Sequence, residues 1–336
     1  MTTMEFGFAL PHELRADDLV SLAQEAERLG YAYAWLPDQT FYQDPFIALA
    51  LIAKNTSRIH LGLGVTNPYA RHPVQVARAI GTLAQLFPGR FSLGIGAGNR
   101  KELLTPLGLQ QERPAQACRE AVEIIRGLLA GNSVTHRGEF FEIQGVRLQF
   151  DVGQPPPLLI AGRGPATLQA AGEVADGVIV GALVSGAGWD FALDKVKSGM
   201  NRSSPGRPFP YTISWTTCRL TGDVRAAMDR ARAGIAHVIG GAPPSVLAVL
   251  EIEPDRLRRL QQAYEEGGPS AAAPFVTDAD MDKLSVIGDA EKVLAKLSDL
   301  QARGVAQFSM LLGPVTLGEA REMLEGFARQ VLMVLQ

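Results

Sequence analysis

The chain has 336 residues, 46% hydrophobic and 20% charged, an ordinary globular composition long enough for one large barrel or two smaller domains. A net charge of -3 with no long basic run excludes the electrostatic footprint of a nucleic-acid or anionic-membrane binder. No segment is apolar for a bilayer's width, the start MTTMEFGFAL lacks a leader pattern, and Cys118, Cys218 and the five histidines show no metal-ligand spacing, so a cytoplasmic protein with buried free thiols and no metal is expected.

In chain order, Glu5 to Leu10 reads as a first strand, and Leu19, Leu22, Ala26 and Leu29 recur at helical spacing over Ala16 to Leu29, with Gly30 as the stop. Tyr33 to Leu36 is a second strand; Asp44-Pro45 then supplies an N-cap and a proline at the first helical position. Ile59 to Val65 is strand three, Pro73 to Leu86 a helix, and Phe91 to Ile95 strand four, entering a cluster of Gly94, Gly96 and Gly98. A helix at Pro114 to Leu129 precedes SVTHRGEFFEIQGVRLQF, whose alternating runs predict a β-hairpin outside the repeating pattern. Leu158 to Ala161, a helix from Ala166 to Ala175, Val178 to Val180, a helix near Trp189 to Met200, and strands at Tyr211 to Leu220 and Gln307 to Leu312 complete eight strands. The alternation predicts an α/β fold, a (β/α)8 TIM barrel forming one domain over residues 1-336, with a helical insertion at about 221-306 between the last two strands.

In such a barrel chemistry gathers where strands end. Four of those loops are unusual: Asp38-Gln39-Thr40, Gly64 to Tyr69, Gly96 to Asn99, and Gly162 to Pro165. The last pairs glycines with a proline that opens a helix, so its amides and the positive helix end can hold a phosphate, with Thr167 as a further donor; an ordinary barrel turn is the alternative. Asn99 stands where a nicotinamide fingerprint needs its last glycine, so that fingerprint is absent. Taken alone, Asp38 reads as a cap or turn former, and His12, Arg71 and His72 as solvated or hydrogen-bonded surface groups.

Together GVTNPYARHP (Gly64 to Pro73), RFSLGIGAG (Arg90 to Gly98), AGRGPATLQAAGEVADGV (Ala161 to Val178) and FVTDADMDKLSVIGD (Phe275 to Asp289) give a chain that resembles the bacterial luciferase-like superfamily over nearly its whole length. Within it the chain is most similar to the coenzyme F420-dependent branch typified by methylenetetrahydromethanopterin reductase. The resemblance implies a deazaflavin across the barrel mouth, backed by a non-prolyl cis peptide that would here be Gly64-Val65. It implies a cofactor site of Asp38, Gly64, Val65, Thr66, Asn67, Gly96, Gly98, Asn99, Ala161, Gly162, Arg163, Gly164, Pro165 and Thr167, with Asp38 and Asn99 as polar contacts near the reacting carbon, and a homodimer. Two departures bear on the substrate. Ala9 and Asn99 stand where the methanopterin reductases carry acidic residues, and Gln39 stands where the sugar-phosphate dehydrogenases place a histidine, a residue that glutamine cannot replace as a base.

The expected function is hydride transfer between F420 and an organic small molecule. The alternatives are an FMN-dependent monooxygenase using reduced flavin and oxygen, and a barrel that binds a flavin without turnover.

Overall fold

Every apolar run named from the sequence forms a strand, because each alternates between two environments that both exclude water. In a computed structural model describing residues 4–203 and 206–335, β1 (Glu5–Ala9), α1 (Ala16–Leu29), β2 (Tyr33–Leu36), α2 (Pro45–Asn55), β3 (His60–Thr66), α3 (Pro73–Leu86), β4 (Phe91–Gly96) and α4 (Pro114–Leu129) follow in order. The antiparallel hairpin β5 (Val134–Arg137) and β6 (Glu142–Val146) stands outside the main sheet. It is tied to α4 by the buried carboxylate of Glu120, which accepts backbone N–H bonds from Glu139, Phe140 and Phe141. The repeat resumes with β7 (Leu158–Gly162), α5 (Pro165–Val174), β8 (Gly177–Gly181), α6 (Gly186–Met200) and β9 (Tyr211–Leu220).

The insertion carries α7 (Val224–Gly240), α8 (Pro244–Leu250), α9 (Pro254–Ala272), α10 (Asp278–Leu284), a strand β10 (Val286–Gly288) and α11 (Ala290–Ala302), before β11 (Gln307–Leu311) and α12 (Leu317–Phe327). Around the sheet the order is β9, β11, β1, β2, β3, β4, β7, β8, with β8 paired back onto β9, so eight parallel strands close into a TIM barrel.

One element departs from the expected helical insertion. β9 runs ten residues; Ile213 to Thr217 pair with β11, and its overhang, Cys218 to Leu220, pairs with β10. A run as short as Val-Ile-Gly carries no period of its own, and only that overhang supplies a partner.

Two apolar layers result. Leu61, Leu63, Leu93 and Ile95 point outward beneath the helices, while Trp35, Leu159, Ile179 and Ile213 point into the lumen with Val65 and Trp215. Glycine is required where the indoles lie. A Cβ on Gly62 would sit 2.3 Å from the Trp35 ring, and one on Gly64 would sit 2.6 Å from Trp215.

The α5 and α6 helices touch backbone to backbone, since a Cβ on Gly172 would fall 2.0 Å from the Val196 carbonyl oxygen. Overpacking at such a site costs about 1–3 kcal/mol. Gly172→Ala is therefore expected to lower the denaturant midpoint by that amount at an unchanged m-value, while Gly318→Ala, where an added Cβ meets open space, stays near wild type.

Candidate active site

With both apolar layers filled, the free volume lies at the strands' C-terminal ends, where a cavity of about 690 Å³ opens. Its apolar face is Val65, Ala161, Ile179 and Trp215. The Gly64-Val65 peptide bond is cis, as the resemblance implied. The glycines of β4 make room for the Val65 side chain: a Cβ on Gly96 would lie 2.7 Å from Val65 Cγ2 and one on Gly94 2.8 Å from Cγ1. Gly94 and Gly96 of the GIGAG run are thus explained by packing against β3, and Gly98 by its left-handed φ of 73°.

Asp38 follows β2 and is buried. Its Oδ2 accepts from Thr66 Oγ1 at 2.7 Å and from Arg71 Nε at 2.6 Å, and its Oδ1 accepts from Arg71 Nη2 at 3.2 Å. The same Nη2 donates to Asp44 Oδ2 at 2.9 Å, while Asp44 Oδ1 caps α2 by accepting from the amides of Phe46 and Ile47. Burial works against the Arg71 charge, but the bonds and attraction of Asp38 and Asp44 outweigh it and raise its pKa. One guanidinium therefore ties the loop after β2 to the end of β3 and the start of α2. The sequence reading of Arg71 as a solvated or hydrogen-bonded surface group holds in its second form; which carboxylates it pairs with carries no periodic signal. His72 also has a structural post, its Nδ1 accepting from the Val74 amide at the head of α3.

The loop after β4 is likewise fastened. Asn99 Oδ1 accepts from the Glu102 amide and its Nδ2 donates to Glu102 Oε2 at 2.7 Å, capping a one-turn π-helix at Arg100–Leu104. Gln111 donates to the carbonyls of Ala97 and Gly98. Asn67 Oδ1 accepts from the Ala70 amide.

Across the mouth Arg163 points toward the insertion, where Nη1 meets the Val238 carbonyl at 3.4 Å. It has no carboxylate partner among the described residues, and burial lowers its pKa. His237 and Tyr264 of the insertion face the cavity and join through Nδ1 and the phenol oxygen at 2.9 Å. Lys101 lies 4.8 Å from the Tyr264 ring centroid and pairs with Glu265 at 2.9 Å. Sequence reasoning missed His237, Tyr264 and Glu265 of the insertion and Lys101 of the turn after β4, because only the tertiary fold brings the insertion over the mouth and against that turn.

Asp38, Gly64, Val65, Asn67, Gly96, Gly98, Asn99, Ala161, Gly162 and Arg163 all line this cavity. Thr66 is turned to Asp38, Thr167 packs on Gly162, and Gly164 and Pro165 form the N-cap and first residue of α5; none of the four lines the cavity. A concave site with an apolar wall, a carboxylate and side-chain amides at one edge and a guanidinium without a carboxylate partner at the other fits a flat ring with an anionic tail.

The luciferase-like monooxygenase family model matches residues 4–307. The chain belongs to that family. Among its luciferase-like relatives, the 5,10-methylenetetrahydromethanopterin reductase of Archaeoglobus fulgidus is 32% identical over 308 residues, 90% of this chain and 92% of that one. An F420-dependent hydroxymycolic acid dehydrogenase of Mycobacterium tuberculosis is 38% identical over 186 residues, covering 52% of this chain and 51% of that one. The solved coenzyme F420-dependent tetrahydromethanopterin reductase of Methanopyrus kandleri superposes with a TM-score of 0.85 at 26% identity, covering 99% of this chain and 100% of that one.

Removing Arg71 leaves two carboxylates facing one another without their shared cation. Breaking a buried ion pair costs about 3–5 kcal/mol, and with the Arg71 side chain 32% exposed the expected loss for Arg71→Met is at the lower end, roughly 2–3 kcal/mol. Adding Asp38→Asn to that variant is expected to recover part of it; a double-mutant cycle by chemical denaturation reads the coupling.

Proposed function

We propose that this chain is a cytoplasmic oxidoreductase, one luciferase-like barrel over residues 1–336, which transfers a hydride between the deazaflavin coenzyme F420 and an organic small molecule. The observation that carries the reading is the cavity at the Gly64-Val65 shelf, with an apolar wall and the Arg163 guanidinium at its far edge. The F420-dependent names of the relatives support the choice of cofactor.

The chemistry supplied by the bound deazaflavin is two-electron hydride donation or acceptance. The chain's own part is placement. Val65 and Ile179 give the ring an apolar seat that excludes water from one face. Asp38 Oδ1, with a single 3.2 Å bond from Arg71, has capacity left to accept from a ligand N–H or O–H. Ala161, Gly162 and Arg163 border the tail, and the guanidinium supplies the anion's partner, while the α5 N-terminus behind Gly164 adds positive potential.

A fluorescence titration of purified protein with F420 is the primary test, and absence of binding sinks the reading. FMN is titrated in parallel: substrate hydroxylation with reduced FMN and oxygen, without deazaflavin binding, establishes the monooxygenase instead. A hydrogen bond to a charged group is worth about 1.5–3 kcal/mol, so Arg163→Met is expected to weaken F420 binding roughly 10- to 150-fold. The phosphate-free deazaflavin nucleoside is expected to bind both proteins equally.

A homodimer belongs to the same proposal. Ile47 is 74% exposed and Leu51 38%, one turn apart on α2, beside Phe41 at 58% and Tyr42 at 53%, an apolar corner of the kind that pairs subunits. Light scattering is expected to show a dimer for the wild type and a monomer for Ile47→Asp/Leu51→Asp.

A further inference from the structure

Reducing a carbonyl or an imine by hydride also requires a proton for the heteroatom, and the cavity's titratable groups are nearly all committed. Both oxygens of Asp38 accept bonds from Arg71 or Thr66. Lys101 and Glu265 hold one another. Arg100 and Arg163 are guanidiniums, which do not give up a proton in proteins. Gln39, Asn67 and Asn99 are amides and do not titrate. Among the described residues lining the cavity, His237 and Tyr264 remain.

Their geometry is that of a relay. Tyr264 is buried, packed against Gly240 of α7, where a Cβ would lie 2.5 Å from its ring. Its hydroxyl stands 2.9 Å from His237 Nδ1, and the Lys101 ammonium lies 4.8 Å from the ring centroid. The groups facing the pair are Arg163 from the loop after β7, Lys101 and Glu102 from the π-turn, and Glu265 on α9.

We propose that His237 is the proton donor and acceptor for the substrate at this cavity, with Tyr264 as its positioning and proton-supplying partner. The inference rests on the hydride-transfer reading. In the reducing direction the bound, reduced deazaflavin would supply a hydride, with its electron pair, to the substrate carbon, so that the π bond breaks onto the heteroatom. That atom takes the proton of His237 Nε2, Nδ1 takes the Tyr264 proton, and water reprotonates the phenolate, whose charge Lys101 and Arg163 stabilise meanwhile. Oxidation runs the same steps backward. Burial, aided by Arg163 and Lys101 against the pull of Glu102, lowers the His237 pKa below 6.5, so the imidazole is neutral at pH 7 and needs the phenol behind it.

The test uses the full chain with reduced F420 and two probes, benzaldehyde and the cyclic imine pyrroline, in single turnover across pH. Turnover of at least one probe is expected, with His237→Gln slowing it about a hundredfold or more at pH 8. Tyr264→Phe is expected to be slow at pH 8 and to recover as the pH falls and His237 becomes protonated, a profile that a merely structural role for Tyr264 does not produce. In cofactor-free protein, nitrogen NMR of His237 is expected to show the Nε2–H tautomer, and Tyr264→Phe is expected to lose that preference. F420 titration of each variant checks that the cavity is intact. Lack of F420 binding by the wild type counts against the hydride-transfer reading itself. Binding without oxidation by either probe overturns the relay, and so do variants that bind F420 and turn over within about threefold of wild type at pH 8, since general acid catalysis is worth far more than that.

Discussion

A closed eight-stranded barrel has a lumen just wide enough for side chains, and something must fill it. Here two indoles do so: Trp35 lies across Gly62 and Trp215 against Gly64, their ring centroids 6.1 Å apart and nearly perpendicular. The alternation of glycine and leucine along β3 is the sequence's half of that arrangement, because the glycines face the rings and the leucines face the helices. With the lumen plugged at that level, a ligand has only the mouth.

The mouth has two sides of different character. The β2 and β3 side is largely satisfied internally, with Arg71 joining Asp38 and Asp44, Thr66 donating a further bond to Asp38 and Asn99 closing the π-turn after β4, while Asp38 Oδ1 keeps capacity to accept. The opposite side, where β7 faces the insertion, holds the groups whose hydrogen-bonding capacity is not used up, Arg163 with one long bond and His237 with its second nitrogen. Binding and chemistry need such spare capacity; architecture needs it spent. Under the proposed function, ring seating falls to the first side, and anion recognition and proton handling to the second.

That division also bears on the departures noted at Ala9, Asn99 and Gln39. The family patterns, with acids late in strand one and after the strand-four glycines or a histidine after strand two, would put proton handling beside the β1, β2 and β4 ends. In this chain those positions are an alanine, an asparagine and a glutamine, and a titratable pair stands on the insertion instead. In the proposed relay the insertion supplies chemistry as well as cover.

Much of this was legible in the chain itself. Periodicity marked the eight strands, Asp44-Pro45 marked the start of α2, and the four strand-end loops were singled out because glycine, asparagine and proline cluster there for backbone reasons that hold in any context. What the sequence could not carry were the facts that depend on meetings across long separations. Arg71 is 33 residues from Asp38, and His237 is 27 from Tyr264; neither pairing leaves a period or a spacing to read. Nor does β10, a three-residue strand defined by its neighbour's overhang. Local propensity and burial pattern decide elements one at a time, whereas an ion pair, a relay or a cavity wall exists only once the barrel has closed and brought distant loops to one rim.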